Sequence, residues 1–154
     1  MGVQTFNLFN FGKEKFVLKK KIRLLEFFSG IGSLHKAMSF LKSKGLIDFE
    51  SYKTCEWAVP SIKAYNAIHI KDFKDYSKDL SKEDLIKYLD GNISINYNDP
   101  CDVKKQSEKW LRDVYNNCIA THNLMNIMKV KGGDLEVKET DKYDYVLMYS
   151  FPCQ

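Results

Sequence analysis

The stretch Leu24–Ser33, L-L-E-F-F-S-G-I-G-S, constrains this chain more than any other. The apolar run Ile22–Phe28 reads as a buried strand. Gly30 and Gly32 then form a tight turn, and an amphipathic pattern begins at Ser33. A strand, a glycine turn and a helix in direct succession are the opening unit of an α/β sheet. Such sheets bind nucleotide-like ligands at the carboxyl end of the first strand. Glycine there permits left-handed backbone angles and close approach of a ligand to the main chain. Taken alone, a G-x-G turn is equally a plain strand-to-helix connection.

The segments that follow extend this pattern. A helix is expected from about Ser33 to Lys44, with Leu34, Ala37, Met38 and Leu41 on its apolar face and Gly45 as its C-cap. Phe49–Glu56 alternates as a second strand. Pro60 suits the first turn of another helix, with Ile62, Tyr65 and Ile68 or His69 on one face. The order strand, helix, strand, helix predicts a parallel sheet. An acid ending the second strand, about 20 residues beyond the glycine turn, can accept hydrogen bonds from ribose hydroxyls. Glu56 stands there, and Trp57 beside it offers an aromatic face to a purine. Read singly, the pair is equally a surface acid next to a core tryptophan.

Residues 70–131 read as an insertion between sheet strands. A short helix begins at the capping pair Ser81 and Asp84 and ends at Gly91. A turn-rich loop covers 91–100. Gln106–Val130 reads as helical, with Trp110, Leu111, Val114, Ile119, Leu124, Ile127 and Met128 as its apolar positions. Gly132-Gly133-Asp134-Leu135 predicts a turn leading into a short strand, where Asp134 can accept a hydrogen bond from an exocyclic amine. Tyr143–Ser150 reads as a buried apolar strand that runs into Phe151-Pro152-Cys153-Gln154.

Composition narrows the class. Among 154 residues 44% are apolar and 29% charged, and Lys+Arg 24 against Asp+Glu 20 leaves a formal charge of +4. That balance permits a polyanionic partner without requiring one. No apolar run reaches the roughly 18 residues of a membrane span. The N-terminus lacks the apolar core and cleavage site of a signal peptide, so a cytoplasmic location, in a bacterium or a phage-infected cell, is expected. Residues 1–20 read as an extension before the domain. Cys55, Cys101, Cys118 and Cys153 form no C-x-x-C pair and stand at no zinc-ligand spacing. No metal is expected, and a buried thiol is the default for each.

Four pieces now stand in a fixed order: F-F-S-G-I-G-S, C-E-W-A-V-P, G-G-D-L, and an apolar strand ending in S-F-P-C-Q. Together they resemble the N-terminal motifs of the DNA (cytosine-5) methyltransferases, in the bacterial and phage branch with a long insertion before the cysteine. The resemblance covers Lys21–Gln154. It implies a Rossmann-like S-adenosylmethionine-dependent methyltransferase fold of the α/β class, here the first half of a mostly parallel sheet with flanking helices. It implies that Phe28, Ser29, Gly30, Ile31 and Gly32 cradle S-adenosylmethionine and that Glu56 holds its ribose hydroxyls. Trp57 would pack on the adenine, Asp134 accept from the adenine amino group with Leu135 as an apolar neighbour, and Pro152 lie near the methionine end.

Cys153 matches the nucleophile. Cytosine C5 is too weak a nucleophile to take a methyl group unaided, and a thiolate adding to C6 activates it. The partner implied is double-stranded DNA with the cytosine flipped out. The family's Glu-Asn-Val and Arg-x-Arg segments and its target-recognition region are not found in this sequence. The chain is therefore expected to be the N-terminal half of the catalytic domain and weakly active or inactive alone. The alternatives are one subunit of a split enzyme, completed by a C-terminal polypeptide, and a cofactor-binding remnant without catalysis. A dinucleotide dehydrogenase fits worse, since His35 stands where its third glycine is needed.

Overall fold

The computed structural model describes residues 20–150. The expected N-terminal extension and the residues Phe151–Gln154, Pro152 and Cys153 among them, lie outside the described residues. Three parallel strands form the sheet: β1 (Lys21–Phe27), β2 (Phe49–Cys55) and β3 (Tyr143–Tyr149), in the order β2-β1-β3. β1 is central, with both its edges paired, and it is the most deeply buried of the three strands. Ile22, Leu24 and Leu25 are buried there. β3 runs in unbroken register with it, from Lys21 opposite Tyr143 to Phe27 opposite Tyr149. β2 carries one irregularity, where Tyr52 is passed over between the partners of Leu24 and Leu25. The presence of these three strands, their parallel direction and the α/β class agree with the sequence reading.

Helix α1 (Ser33–Ser43) follows the glycine turn; its C-cap is Lys44, one residue before the expected Gly45, which has φ +67° and donates to Lys42 O at 2.9 Å. Its buried face differs from the expected one. His35 and Met38 are buried, whereas Ala37 and Leu41 are exposed and Leu34 is half-buried. The helix is rotated toward His35 because that residue meets a buried acid on β1, described below. Ile22, Leu24, Met38 and Phe49, with Ile47, Val146 and Met148, form the core between α1 and the sheet.

The insertion builds a larger core of its own. Helix α2 (Val59–Tyr65) carries Pro60 in its first turn and passes into a π-helical turn, Asn66–Ile70. Helix α3 (Lys82–Leu89) has the expected capping box, Ser81 with Asp84. Helix α4 is Glu108–Ala120, capped by Ser107. Val59 and Ile62 of α2 pack with Leu85, Leu89, Ile93, Val103, Leu111, Val114 and Cys118.

Two expectations fail in this region. The helix expected over Gln106–Val130 stops at Ala120. Thr121 turns its hydroxyl back to Asn117 O at 2.9 Å, and His122 takes φ +48°. The chain then returns to the sheet, where Asn123 forms a parallel bridge with Thr54 and Leu124 N–H donates to Thr54 O at 2.8 Å. Gly132–Leu135 is a 3₁₀ turn as expected, but the short strand expected after it, ahead of β3, does not form. Glu136 and Glu139 adopt φ +49° and +55°, which breaks extended pairing. β3 also contains no buried residue; among the described residues it pairs with β1 alone, and Leu147 and Tyr149 are exposed.

Candidate functional site

The carboxyl ends of β1 and β2 open on a cleft of about 630 Å³. Phe28 and Gly30 line it from the first turn, Cys55, Glu56 and Trp57 from the end of β2, and Ser61 from α2. Tyr97 and Pro100 come from the insertion, Met125–Met128 from the segment after the Asn123 bridge, and Ser150 from the end of β3. The position is the one an α/β sheet reserves for ligands, where the strand order reverses beside β1.

Local chemistry holds the turn. Phe28 N–H donates to Cys55 O at 2.8 Å, locking the two strand ends together, and the residue sits at φ +53°, uncommon for a side-chain-bearing residue. Glu56 then spans the gap between β1 and α2. One carboxylate oxygen accepts from Gly30 N–H at 2.9 Å and the other from Ala58 N–H at 2.8 Å. Each oxygen keeps a free lone pair, so the carboxylate retains capacity for ligand hydroxyls.

The two glycines do different work. A β-carbon on Gly30 (φ +52°) would meet no atom within 4 Å. Its open face belongs to the cleft and leaves room for a ligand against the main chain. A β-carbon on Gly32 (φ +87°) would lie 2.5 Å from His69 Cδ2 and 2.9 Å from Tyr65 Cδ2, and closer still to His69 Nε2. Gly32 is therefore a packing glycine, and it does not line the cleft. Ile31 is exposed at the tip, with its carbonyl accepting from His69 Nε2 at 2.9 Å. Ser29 Oγ is the one buried side-chain polar atom without a partner among the described residues, and it lies between two residues that line the cleft. A vacant hydrogen-bonding group in that turn, with space over Gly30, fits a polar ligand seated there.

Beneath the turn lies a buried polar cluster that sequence reading missed. Glu26 is fully buried, accepts His35 N–H at 2.9 Å and takes a short hydrogen bond from the Tyr65 hydroxyl. Since that hydroxyl's proton is committed to Glu26, His35 Nδ1 at 2.9 Å and Ser51 Oγ at 3.2 Å must donate to the Tyr65 oxygen. Glu26 thus answers an unpaired N–H in the first turn of α1 that Gly32, having no side chain, cannot cap. Burial and the Glu26 charge raise the Tyr65 pKa.

Asn123 was missed as well. Its side-chain amide pairs with the backbone of Glu56 as a neighbouring strand would. Oδ1 accepts from Glu56 N–H at 3.0 Å, and Nδ2 donates to Glu56 O at 2.8 Å. The signal was present only as a lone asparagine in a segment read as helix.

Asp134 and Leu135 are not brought to the cleft. Asp134 accepts from Lys131 N–H at 2.7 Å, closing its own turn, and lines a separate shallow hollow with Lys53, Tyr88 and Glu136. The amide at the cleft is that of Asn126, whose Oδ1 accepts from Met128 N–H at 3.0 Å and whose Nδ2 donates to Gly91 O at 2.9 Å. Among the described residues the thiol at the cleft is that of Cys55, but burial, with Glu56 adding to it, pushes its pKa up to about 12, and it donates to Met125 O at 3.4 Å. Cys118 is likewise pushed up to about 12 by burial. Neither is a thiolate near neutral pH. No group of His, Cys, Asp and Glu among the described residues has the geometry of a metal site, and no helix among them is long and apolar enough to cross a membrane.

No protein-family model matches the chain. Against known proteins, it is 34% identical over 142 residues to the orphan methyltransferase M.SssI of Spiroplasma monobiae. The match takes in 88% of this chain and 35% of the relative, so the chain spans about a third of the length of the protein it matches. Such similarity over most of the chain, on a parallel sheet that carries the glycine turn and the acid in the expected order, relates the chain to a methyltransferase and supports the resemblance to the DNA (cytosine-5) methyltransferase family read from its motifs.

Proposed function

We propose that this chain carries the cofactor-binding and nucleophile-bearing part of a DNA (cytosine-5) methyltransferase, transferring a methyl group from S-adenosylmethionine to C5 of cytosine in DNA. The observation that carries the reading is the cleft at the ends of β1 and β2, where Phe28, Gly30, Glu56 and Trp57 converge. Glu56 has lone pairs left for ribose hydroxyls, Gly30 leaves its main chain open to approach, and Ser29 Oγ is a spare hydrogen-bonding group. Trp57 supplies the aromatic wall for a purine. Asp134 remains the acceptor that the resemblance implies for the purine amino group, and Asn126 adds a second polar group in the lining of the cleft.

When bound, S-adenosylmethionine supplies an electrophilic methyl group on a sulfonium. The chain's own contribution to the chemistry is Cys153. Its thiolate adds to C6 of a flipped cytosine, which makes C5 nucleophilic. After methylation, loss of the C5 proton and of the thiolate restores the ring. Ser150 hydrogen-bonds Phe28 O at 3.2 Å, so β3 delivers the chain to the cleft; the three residues on to Cys153 span at most about 10 Å. Burial raises the pKa of Cys55, Cys101 and Cys118, so none of these three competes as a thiolate near neutral pH.

The test is calorimetric titration of the chain with S-adenosylmethionine, with Glu56→Gln as the control, followed by trapping on 5-fluorocytosine duplex DNA with and without a complementing C-terminal polypeptide. Binding that Glu56→Gln weakens, and a covalent adduct abolished by Cys153→Ser, are expected. A folded chain that binds no S-adenosylmethionine overturns the cofactor reading. An adduct that survives Cys153→Ser overturns the nucleophile.

A further inference from the structure

One wall of the cleft comes from neither glycine turn nor acid. Residues 93–101 of the insertion form a closed loop stitched to the end of β2. Ser94 N–H donates to Trp57 O at 2.7 Å, Val59 N–H donates to Ser94 O at 2.8 Å, and Cys101 N–H closes the loop onto Ile93 O at 2.8 Å. Ser94 is fully buried. Inside the loop, Asn96 Oδ1 accepts from the N–H groups of Asn98 and Asp99, both at 3.0 Å. This frame fixes the backbone of Tyr97, which stands at φ +70°.

Tyrosine is a poor choice at that position on folding grounds. A left-handed backbone costs a residue with a β-carbon and costs glycine nothing. The Tyr97 ring recovers little by burial, because the residue is 56% exposed. Its hydroxyl lies 3.3 Å from Ser61 Oγ, which aligns the side chain along α2 at the Trp57 end of the cleft. The ring is a cleft wall held in a strained place and left uncovered.

We infer that Tyr97 is a further cofactor-contacting residue, an aromatic face that closes over the adenosine end of S-adenosylmethionine and helps set selectivity for it. This rests on the cofactor reading above. The location follows from the loop's bonds to Trp57 and Val59 and from the Ser61 contact, all at the end of the cleft where the purine wall stands. The ring offers stacking area to a π-system, and the insertion supplies it.

The strain makes the test selective. Tyr97→Gly removes the ring and relieves the backbone, so the urea midpoint should hold or rise while affinity falls about tenfold. Tyr97→Phe, which keeps the ring, should bind within about threefold of the parent. S-adenosylmethionine and S-adenosylhomocysteine share the adenosine end and should lose affinity by the same factor. If Tyr97→Gly binds both as tightly as the parent, or loses affinity only in step with stability, the inference fails. A loss confined to one of the two ligands overturns the adenosine-end placement. Affinity lost in Glu56→Gln but kept in Tyr97→Gly sinks this inference alone, whereas a parent that binds neither ligand sinks the cofactor reading and this inference with it.

Discussion

Gly30 and Gly32 stand two residues apart, both with positive φ, and substituting alanine at each should separate folding from ligand binding. At Gly30 the added methyl meets open space, so the cost is the left-handed backbone alone, about 1 kcal/mol. At Gly32 the same backbone term applies, and the methyl also falls 2.5 Å from His69 Cδ2 and 2.9 Å from Tyr65 Cδ2. The His69 ring must leave, which breaks its 2.9 Å bond to Ile31 O and its packing on His35, 4.5 Å away between ring centres. Forcing extra volume into a filled site costs about 1–3 kcal/mol, and the lost hydrogen bond about 1 kcal/mol. Gly32→Ala should therefore destabilise by about 3–5 kcal/mol, against about 1 kcal/mol for Gly30→Ala. At about 3 °C per kcal/mol for a chain of this size, the two melting temperatures should differ by about 6–12 °C. Urea and thermal unfolding followed by circular dichroism measure this. Gly30→Ala should nonetheless be the variant that weakens S-adenosylmethionine, because its methyl enters the cleft. Equal stabilities within about 0.5 kcal/mol would refute the close approach of His69 to Gly32, and unimpaired ligand binding by Gly30→Ala would refute the open cradle.

Asn123→Ala leaves the N–H and the carbonyl of Glu56 without their partners in a half-buried site; a loss of about 2–4 kcal/mol is expected in urea titration, with weakened cofactor binding even where the fold persists. Burial holds the His69 imidazole below its ordinary pKa of 6.5, so the folded state prefers the neutral ring. The stability tied to it is complete above that value and is lost as pH falls through it, because the unfolded chain takes the proton first. His69→Gln keeps a donor for Ile31 O and should flatten the pH dependence between about 7 and 5. The carboxylates held low by Lys21 and Lys42, Glu50 and Asp48, act only at lower pH. Iodoacetamide on the native protein near pH 8 should spare Cys55 and Cys118, which mass spectrometry would find modified only after urea; native labelling of either would contradict their burial.

The strands were legible because each is a local signal. β1 and β2 and their turn are written in apolar runs, glycines and one acid, and a parallel arrangement follows from their order. The residues that complete the site were not legible because their signals are not local. Asn123 looks like any helical asparagine until Thr121 and His122 end α4 and return the chain to the edge of β2. Glu26 sits in an apolar run, and nothing in the run says that its carboxylate meets His35 and Tyr65 across two helices. The same contact displaced the apolar face expected for α1, since periodicity treats histidine as polar. Asp134 matched a motif by spelling, yet its turn closes on Lys131 and faces another hollow. Cys153 carries the whole chemical proposal, and it was read from four letters following a strand.

The way Asn123 grips Glu56 has a consequence for how this fold can be altered. The insertion leaves the sheet after β2 and returns to it around Asn123, whose side chain mimics a peptide group and clasps the acid's own backbone on both sides. Between those points, the helices rest on a hydrophobic core that borrows little from the sheet. Helical hairpins of different length or shape can occupy that interval without moving the acid, provided the return residue keeps its amide. The joint therefore behaves as a fixed socket, into which evolution or an engineer can fit new walls for the cleft while the Glu56 end stays in place.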